Sequence, residues 1–166
     1  MKTLYIVRHA KASKEPGFES DHERPLTERG KTDAKLVAQT LRKEKWVPTF
    51  CVASTAKRAQ KTARIFHEEW GISQKLELES SIYEASVSDL IHVVRSLPEK
   101  ENKVAIFGHN PGFTGLIGAL SQHFIEHLPT SGVAIVEFKI DTWKLVGSQP
   151  GKLVRFVHPK LINVEK

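Results

Sequence analysis

Apolar residues along this chain come in short blocks separated by longer amphipathic stretches. Leu4, Tyr5, Ile6 and Val7 form the first block. It is rich in β-formers and too short for a helix, so it predicts a buried strand. Residues 11–25 are polar and carry Pro16, Gly17 and Pro25, the pattern of a loop. A loop that long inside a compact domain is often functional, and this one leaves the end of the first strand. Thr27 then has the character of an N-cap. Ala34, Val37, Ala38 and Leu41 follow at i, i+3, i+4, i+7, which predicts a helix ending near Lys45, before Pro48. Phe50 to Ala53 is a second short apolar block and a second buried strand. Ser54 is expected to cap the next helix, whose inner face carries Ala59, Thr62, Ala63 and Phe66. That helix runs to about Trp70 and stops at Gly71.

The second half repeats the alternation. Leu76 to Leu78 is a weak strand. Ser86 or Ser88 can cap a helix with Leu90, Ile91, Val94 and Leu97, stopped by Pro98. Lys103 to Phe107 is a clear strand that runs into a tight turn, Gly108-His-Asn-Pro-Gly112, and Phe113 to Leu120 restarts a helical pattern. Val133 to Phe138 and Leu153 to Val157 are two more strands. Their connection is short and lacks helical periodicity, so they are expected to form an antiparallel hairpin at or near a sheet edge. The whole predicts an α/β fold: a three-layer α/β/α sandwich with a mixed, mostly parallel sheet, in one domain spanning 1–166.

Composition narrows the class. The chain has 166 residues, 40% apolar and 27% charged, as expected of a globular protein with a proper core. Net charge is +6, which favours nucleic acid or any phosphorylated or acidic partner. No run of five like charges occurs, so a nucleic-acid-binding tail is not indicated. The single cysteine, Cys51, lies in an apolar block and reads as a buried thiol. The apolar run after Met1 and Lys2 is broken by Arg8, so no signal peptide is expected, and nothing approaches a membrane span. A cytoplasmic monomer is the expectation.

The chemistry gathers where strands end. In open α/β sheets, ligands bind outside the carboxyl ends of the strands. Arg8 and His9 sit at the end of the first strand. Arg58 sits in the first turn of the helix after the second. His109 follows the Lys103–Phe107 strand, flanked by glycine and Asn-Pro-Gly, with no apolar packing reason to be there. If these strands are parallel, two arginines and two histidines share one rim. Guanidinium groups match phosphoryl oxygens in pairs, and histidine is a covalent nucleophile. No GxxxxGK[ST] loop and no acidic cluster for two metals occurs, so protein cations must stabilise the charge, with no metal or other cofactor expected. His123 and His127 are spaced i, i+4 as a zinc pair would be, but no third ligand accompanies them.

These segments resemble the histidine phosphatase (phosphoglycerate mutase-like) superfamily. Arg8-His9-Ala10 is similar to its Arg-His-Gly or Arg-His-Ala motif. Ser54, Arg58, Ala59, Thr62 and Ala63 match its Ser-x-x-x-Arg-Ala-x-x-Thr-Ala pattern. Gly108-His109 matches its second histidine, and Arg24-Pro-Leu-Thr-Glu-Arg-Gly30 its Pro-Leu-Thr-x-x-Gly segment. The likeness covers residues 2 to about 157. The short length is similar to the SixA-like phosphohistidine phosphatase branch, whose site lacks the roof carried by mutases and sugar bisphosphatases. The resemblance implies His9 as the nucleophile and Arg8, Arg58 and His109 as the phosphate pocket. Glu84 is the candidate proton donor, since family members often place an acidic residue in that connection. Position 10 is alanine rather than glycine, and Asn110 stands where the acid phosphatase branch has aspartate.

The leading expectation is a metal-independent phosphatase acting on protein phosphohistidine through a phosphohistidine enzyme intermediate. A small-molecule phosphomonoesterase of the same fold is the enzymatic alternative, and a phosphate-sensing binding module the non-enzymatic one. The partner is therefore a phosphorylated protein or a small phosphoester, with neither nucleic acid nor membrane expected.

Overall fold

The computed structural model describes residues 1–15, 17 and 20–165; Pro16, expected in the first loop, lies outside the described residues. The six strands are β1 (Lys2–Arg8), β2 (Phe50–Ala53), β3 (Glu77–Leu78), β4 (Lys103–Gly108), β5 (Val133–Phe138) and β6 (Lys152–Val157). They form one sheet in the order β3-β2-β4-β1-β5-β6. β3, β2, β4 and β1 pair in parallel, while β5 runs antiparallel to both β1 and β6. The closing hairpin at the sheet edge thus forms as its short connection predicts, with Trp143–Leu145 making one 3₁₀ turn inside that connection.

Helices cover both faces. The helices are α1 (Glu28–Lys43), α2 (Lys57–Trp70), α3 (Val87–Arg95), α4 (Gly112–Ser121) and α5 (Pro159–Glu165). One buried layer joins Leu4, Ile6, Val104 and Ile106 of the sheet to Leu90 and Val94 of α3 and to Phe113 and Leu116 of α4. The other joins Tyr5, Val7, Ala105 and Phe107 to Val37 and Leu41 of α1, Phe66 and Trp70 of α2 and Ile162 of α5. Adjacent strand residues thus feed opposite faces, as period-two alternation requires, and both faces need apolar cover. That is why the central residues of both strands, Leu4 to Val7 of β1 and Val104 to Phe107 of β4, are continuously apolar.

Most boundaries follow the residues. Thr27 caps α1, its side chain accepting from Gly30 N–H at 2.9 Å. Ser86 and Asp89 form a reciprocal capping box on α3. Gly71 ends α2 in the left-handed conformation, φ 65°. One expectation is corrected. Ser54 does not cap α2, whose N-cap is Ala56 without a side-chain cap; the Ser54 hydroxyl is used elsewhere. His123 and His127 lie beyond the end of α4 in irregular chain, so helical spacing does not bring them together. α5 was not anticipated, because Pro159 to Glu165 is a single short amphipathic stretch. Among the described residues no helix is long and apolar enough to cross a membrane.

The three parallel strands bring their ends into register. Arg8 pairs with Gly108, and Ala53 pairs with Phe107. The next residues of β1 and β4 are therefore His9 and His109, side by side. Gly108 is required here, since a Cβ would stand 2.5 Å from the Phe113 ring and 2.8 Å from Ile82.

Candidate active site

The rim so built brings together four of the five residues singled out from sequence. The His9 and His109 rings lie 5.3 Å apart between centroids. His9, Arg58 and His109 are 8%, 7% and 9% exposed. His9 N–H is held by Gly108 O at 3.0 Å, and His9 O accepts from Ser131 N–H at 3.1 Å. Backbone on both sides therefore fixes the residue. Ala10 is fully buried, and its N–H is accepted by Thr62 Oγ1 at 2.9 Å.

Hydrogen bonds orient each ring and each guanidinium. His9 Nδ1 lies 2.7 Å from Ala10 O, and a carbonyl only accepts, so Nδ1 carries the ring hydrogen. That leaves the lone pair of a neutral ring on Nε2. His109 Nε2 lies 2.8 Å from Ser54 Oγ, and its buried Nδ1 has no partner among the described residues. Arg8 donates from Nη1 to Leu128 O at 3.0 Å, while its buried Nε is without a partner there. The same Leu128 O accepts from Asn110 Nδ2 at 2.9 Å, and Asn110 Oδ1 accepts from Thr114 N–H and Oγ1. Asn110 thus fastens the strand-to-helix turn to the segment that steadies Arg8.

Three residues of the 11–25 loop complete the rim. Asp21, in a 3₁₀ turn (Asp21–Glu23), accepts from Arg58 through its main-chain oxygen at 2.7 Å and through Oδ2 at 2.9 Å. Arg24 donates to Asp21 Oδ1 at 2.8 Å, and the Tyr83 hydroxyl donates to Oδ2 at 2.8 Å. His22 bonds Thr55 Oγ1 at 2.9 Å and meets the Tyr83 ring edge-on at 4.9 Å. Tyr83 also lies against His109, 5.5 Å between ring centroids. Residue types in the polar 11–25 loop do not by themselves separate Asp21, His22 and Arg24 from solvated loop positions, and Tyr83 carries no sequence signal of a role: it is an aromatic ring in a polar connection without periodicity. Glu84 is exposed, in the left-handed region with φ 54°, and makes no hydrogen bond or ion pair with any described residue.

The electrostatics are those of a cationic, partly dry pocket. Burial, followed by the Arg58, Arg8 and Arg24 charges, pushes His9 down to about 4, against the opposing hydrogen bond to Ala10 O. Burial and the neighbouring His9, Arg58 and Arg8 push His109 down to about 3. Both rings are neutral at pH 7. Burial and Arg58 also lower Arg8 from its usual value. The Tyr83 hydroxyl first, then Arg24 and Arg58, hold Asp21 down at about 2. No group of three or more His, Cys, Asp or Glu side chains able to hold a metal ion occurs among the described residues. Neutral imidazoles beside fixed guanidiniums can bind a dianion and attack it.

Fold and rim together define a phosphoryl-handling α/β domain built on two histidines and two arginines. The model of the histidine phosphatase superfamily (branch 1) matches residues 4–111, and the chain belongs to that superfamily. An uncharacterized protein of Mycobacterium tuberculosis is 28% identical over 140 residues, covering 78% of this chain and 85% of that one. The protein histidine phosphatase SixA complexed with tungstate superposes with a TM-score of 0.83 at 21% identity, covering 96% of this chain and 99% of that one. The mycobacterial glucosyl-3-phosphoglycerate phosphatase complexed with VO3 is more distant in fold, with a TM-score of 0.68 at 17% identity, covering 93% and 98%. The fold is SixA-like, and family membership supports phosphatase activity on a phosphorylated substrate.

Proposed function

We propose that this chain is a metal-independent phosphohistidine phosphatase that works through a phosphorylated His9. The observation that carries the reading is the state of His9: neutral, with Nδ1 anchored on Ala10 O at 2.7 Å, beside the His109 ring and the Arg58 charge. A buried imidazole held with Nε2 free is a ready nucleophile. Simple phosphate binding would not need one, which disfavours a sensing module.

Two displacements complete the reaction. In the first, the Nε2 lone pair forms a bond to phosphorus as the bond to the leaving nitrogen breaks, and the departing imidazole keeps its own proton. The Nδ1–H···O bond to Ala10 steadies the positive ring that results. Arg8, Arg58 and His109 stabilise the charge on the transferring oxygens. In the second, water attacks phosphorus, the P–Nε2 bond breaks with its electron pair returning to Nε2, inorganic phosphate leaves carrying both hydrogens of that water, and neutral His9 is restored.

A small phosphoester is the second reading, and the position of Glu84 weighs on it. An alkoxide needs a proton as it leaves, and Glu84 is the residue proposed to supply it. In this structure Glu84 is exposed and bonded to no described group. An imidazole leaving group needs no such acid, which favours the phosphohistidine reading. The deciding experiment compares kcat/KM for histidine-phosphorylated proteins and for small alkyl and aryl phosphates, without added metal. A preference for the proteins supports the reading, and a preference for alkyl esters overturns it.

A further inference from the structure

We propose that the groove between α1 and α2 docks an acidic stretch of the protein that carries the phosphorylated side chain. The proposal rests on the protein-substrate reading above and adds where and how that protein is held. The groove holds about 370 Å³ and is lined by Pro25, Leu26, Lys31, Lys57, Gln60, Lys61 and Arg64. Four of these side chains are cations and none is a carboxylate. Lys57, Lys61 and Arg64 fall at i, i+4 and i+7 of α2, so they share one exposed face of the helix. Lys31 joins them from α1.

Position makes the groove more than a solvated face. Arg58, next along from Lys57, turns inward and is 7% exposed beside His9 and His109. The Lys57 end of the groove, at the start of α2, is therefore the end that adjoins Arg58 of the phosphate-handling rim. The other end, at Arg64, lies ~10 Å further along α2 at 1.5 Å per residue. Three to four residues of extended chain, at roughly 3.4 Å each, cover that distance. A substrate segment can thus present its phosphorylated side chain to His9 while its neighbours run along α2.

Charge selects the partner. Lys57 is paired to Glu23 at 2.8 Å and Lys31 to Glu28 at 3.2 Å, both with exposed side chains, so a partner's carboxylates would replace surface pairs worth little. Lys61 and Arg64 form no hydrogen bond or ion pair with described residues. The net charge of +6 adds attraction of the same sign for an acidic partner and faster encounter.

The test uses histidine-phosphorylated peptides with either acidic or neutral residues on the flank, together with a small aryl phosphate. Wild type should favour the acidic peptide by about tenfold in kcat/KM, chiefly through KM, and lose that preference at about 0.5 M salt. Lys61→Glu combined with Arg64→Glu should abolish the preference and leave aryl phosphate turnover within about twofold. Equal use of both peptides by wild type, or a preference that survives the double reversal, overturns the docking proposal while leaving the phosphatase reading intact. A second arm measures binding of the unphosphorylated acidic peptide, and of a single-stranded oligonucleotide, to the His9→Ala protein. If neither phosphopeptide is hydrolysed yet reversal-sensitive binding of the acidic peptide remains, the substrate reading falls and the docking surface stands. If the oligonucleotide binds more tightly and the reversal abolishes it, the groove serves nucleic acid and the proposal is overturned.

Discussion

Asp21 grips Arg58 at two points, with its main-chain oxygen 2.7 Å from one terminal nitrogen and Oδ2 2.9 Å from the other. A guanidinium has five N–H donors, so this grip leaves three for a phosphoryl group while fixing the plane in which they lie. Tyr83 and Arg24 hold the same carboxylate. Asp21→Ala should therefore lower kcat/KM by about tenfold, less than the 10² to 10³ expected for Arg58→Ala, the usual cost of one preorganised donor. In the Arg58→Ala background the Asp21 change should add almost nothing. Additive losses in that cycle would mean Asp21 acts independently of Arg58.

Ser54 governs His109 in a comparable way. Its hydroxyl lies 2.8 Å from His109 Nε2, is fully buried, and also accepts from Ala56 N–H at 3.3 Å. Ser54→Ala leaves the ring nitrogen buried without a partner, at a cost of ~1–3 kcal/mol. Thermal unfolding should register that loss, and kcat should fall with it. An unchanged kcat would show that the His109 ring needs no support from Ser54.

Much of this was legible because β1, β2 and β4 are apolar enough to be read as strands, with Arg8 and His9 at the end of β1, His109 directly after β4, and Arg58 in the first turn of the helix after β2. Parallel pairing then carries Arg8, His9, Arg58 and His109 to one rim without further information. Ser54 misled for the opposite reason. A serine three residues ahead of a helix has the local signature of a cap, but His109 is 55 positions away and local patterns carry no trace of it. Asp21 and Tyr83 meet across 62 positions through loop chain, where no periodicity reports on contacts. α5 is too short for its pattern to stand out from an ordinary terminal stretch.

Acid should act on both histidines. Their folded values, about 4 for His9 and about 3 for His109, lie below the ordinary 6.5. Between these limits the unfolded chain binds more protons than the folded one. Stability is therefore full above about pH 6.5 and declines as pH falls from there toward 4. The same depression keeps His9 nucleophilic, so kcat/KM should hold until pH falls through about 4, once the second ionisation of the substrate phosphate near 6 is divided out. An acid limb at about 6.5 that persists after that correction would contradict the neutral, buried state of His9.

The nucleophile itself can be caught. Rapid quenching without acid should trap phosphate on the wild-type chain, and His9→Ala should remove both label and turnover while its circular dichroism stays native. Label on the His9→Ala protein would overturn the assignment. Added chelator should leave the wild-type rate unchanged, and a loss of activity would contradict the metal-independent reading.

Glu84 has two separable roles to distinguish, chemical and conformational. It occupies φ 54°, a left-handed conformation that strains most side chains, and it follows Tyr83, whose hydroxyl holds Asp21. Glu84→Gln removes the proton and keeps the side chain's size. If Glu84 delivers a proton, this change should cut hydrolysis of an alkyl phosphate by about 10² and that of phosphohistidine by under about tenfold, because only the alkoxide needs the acid. An aryl ester with a low-pKa phenol should follow phosphohistidine. Glu84→Gly removes both acid and strain, so it should match Glu84→Gln on the alkyl ester while raising or preserving thermal stability. Equal losses on all three substrates with either variant would mean that residue 84 acts by holding Tyr83 in place. No loss on any of them would remove Glu84 from the chemistry, and Asp21, held down at about 2 and so ionised at neutral pH, could not take its place as the acid.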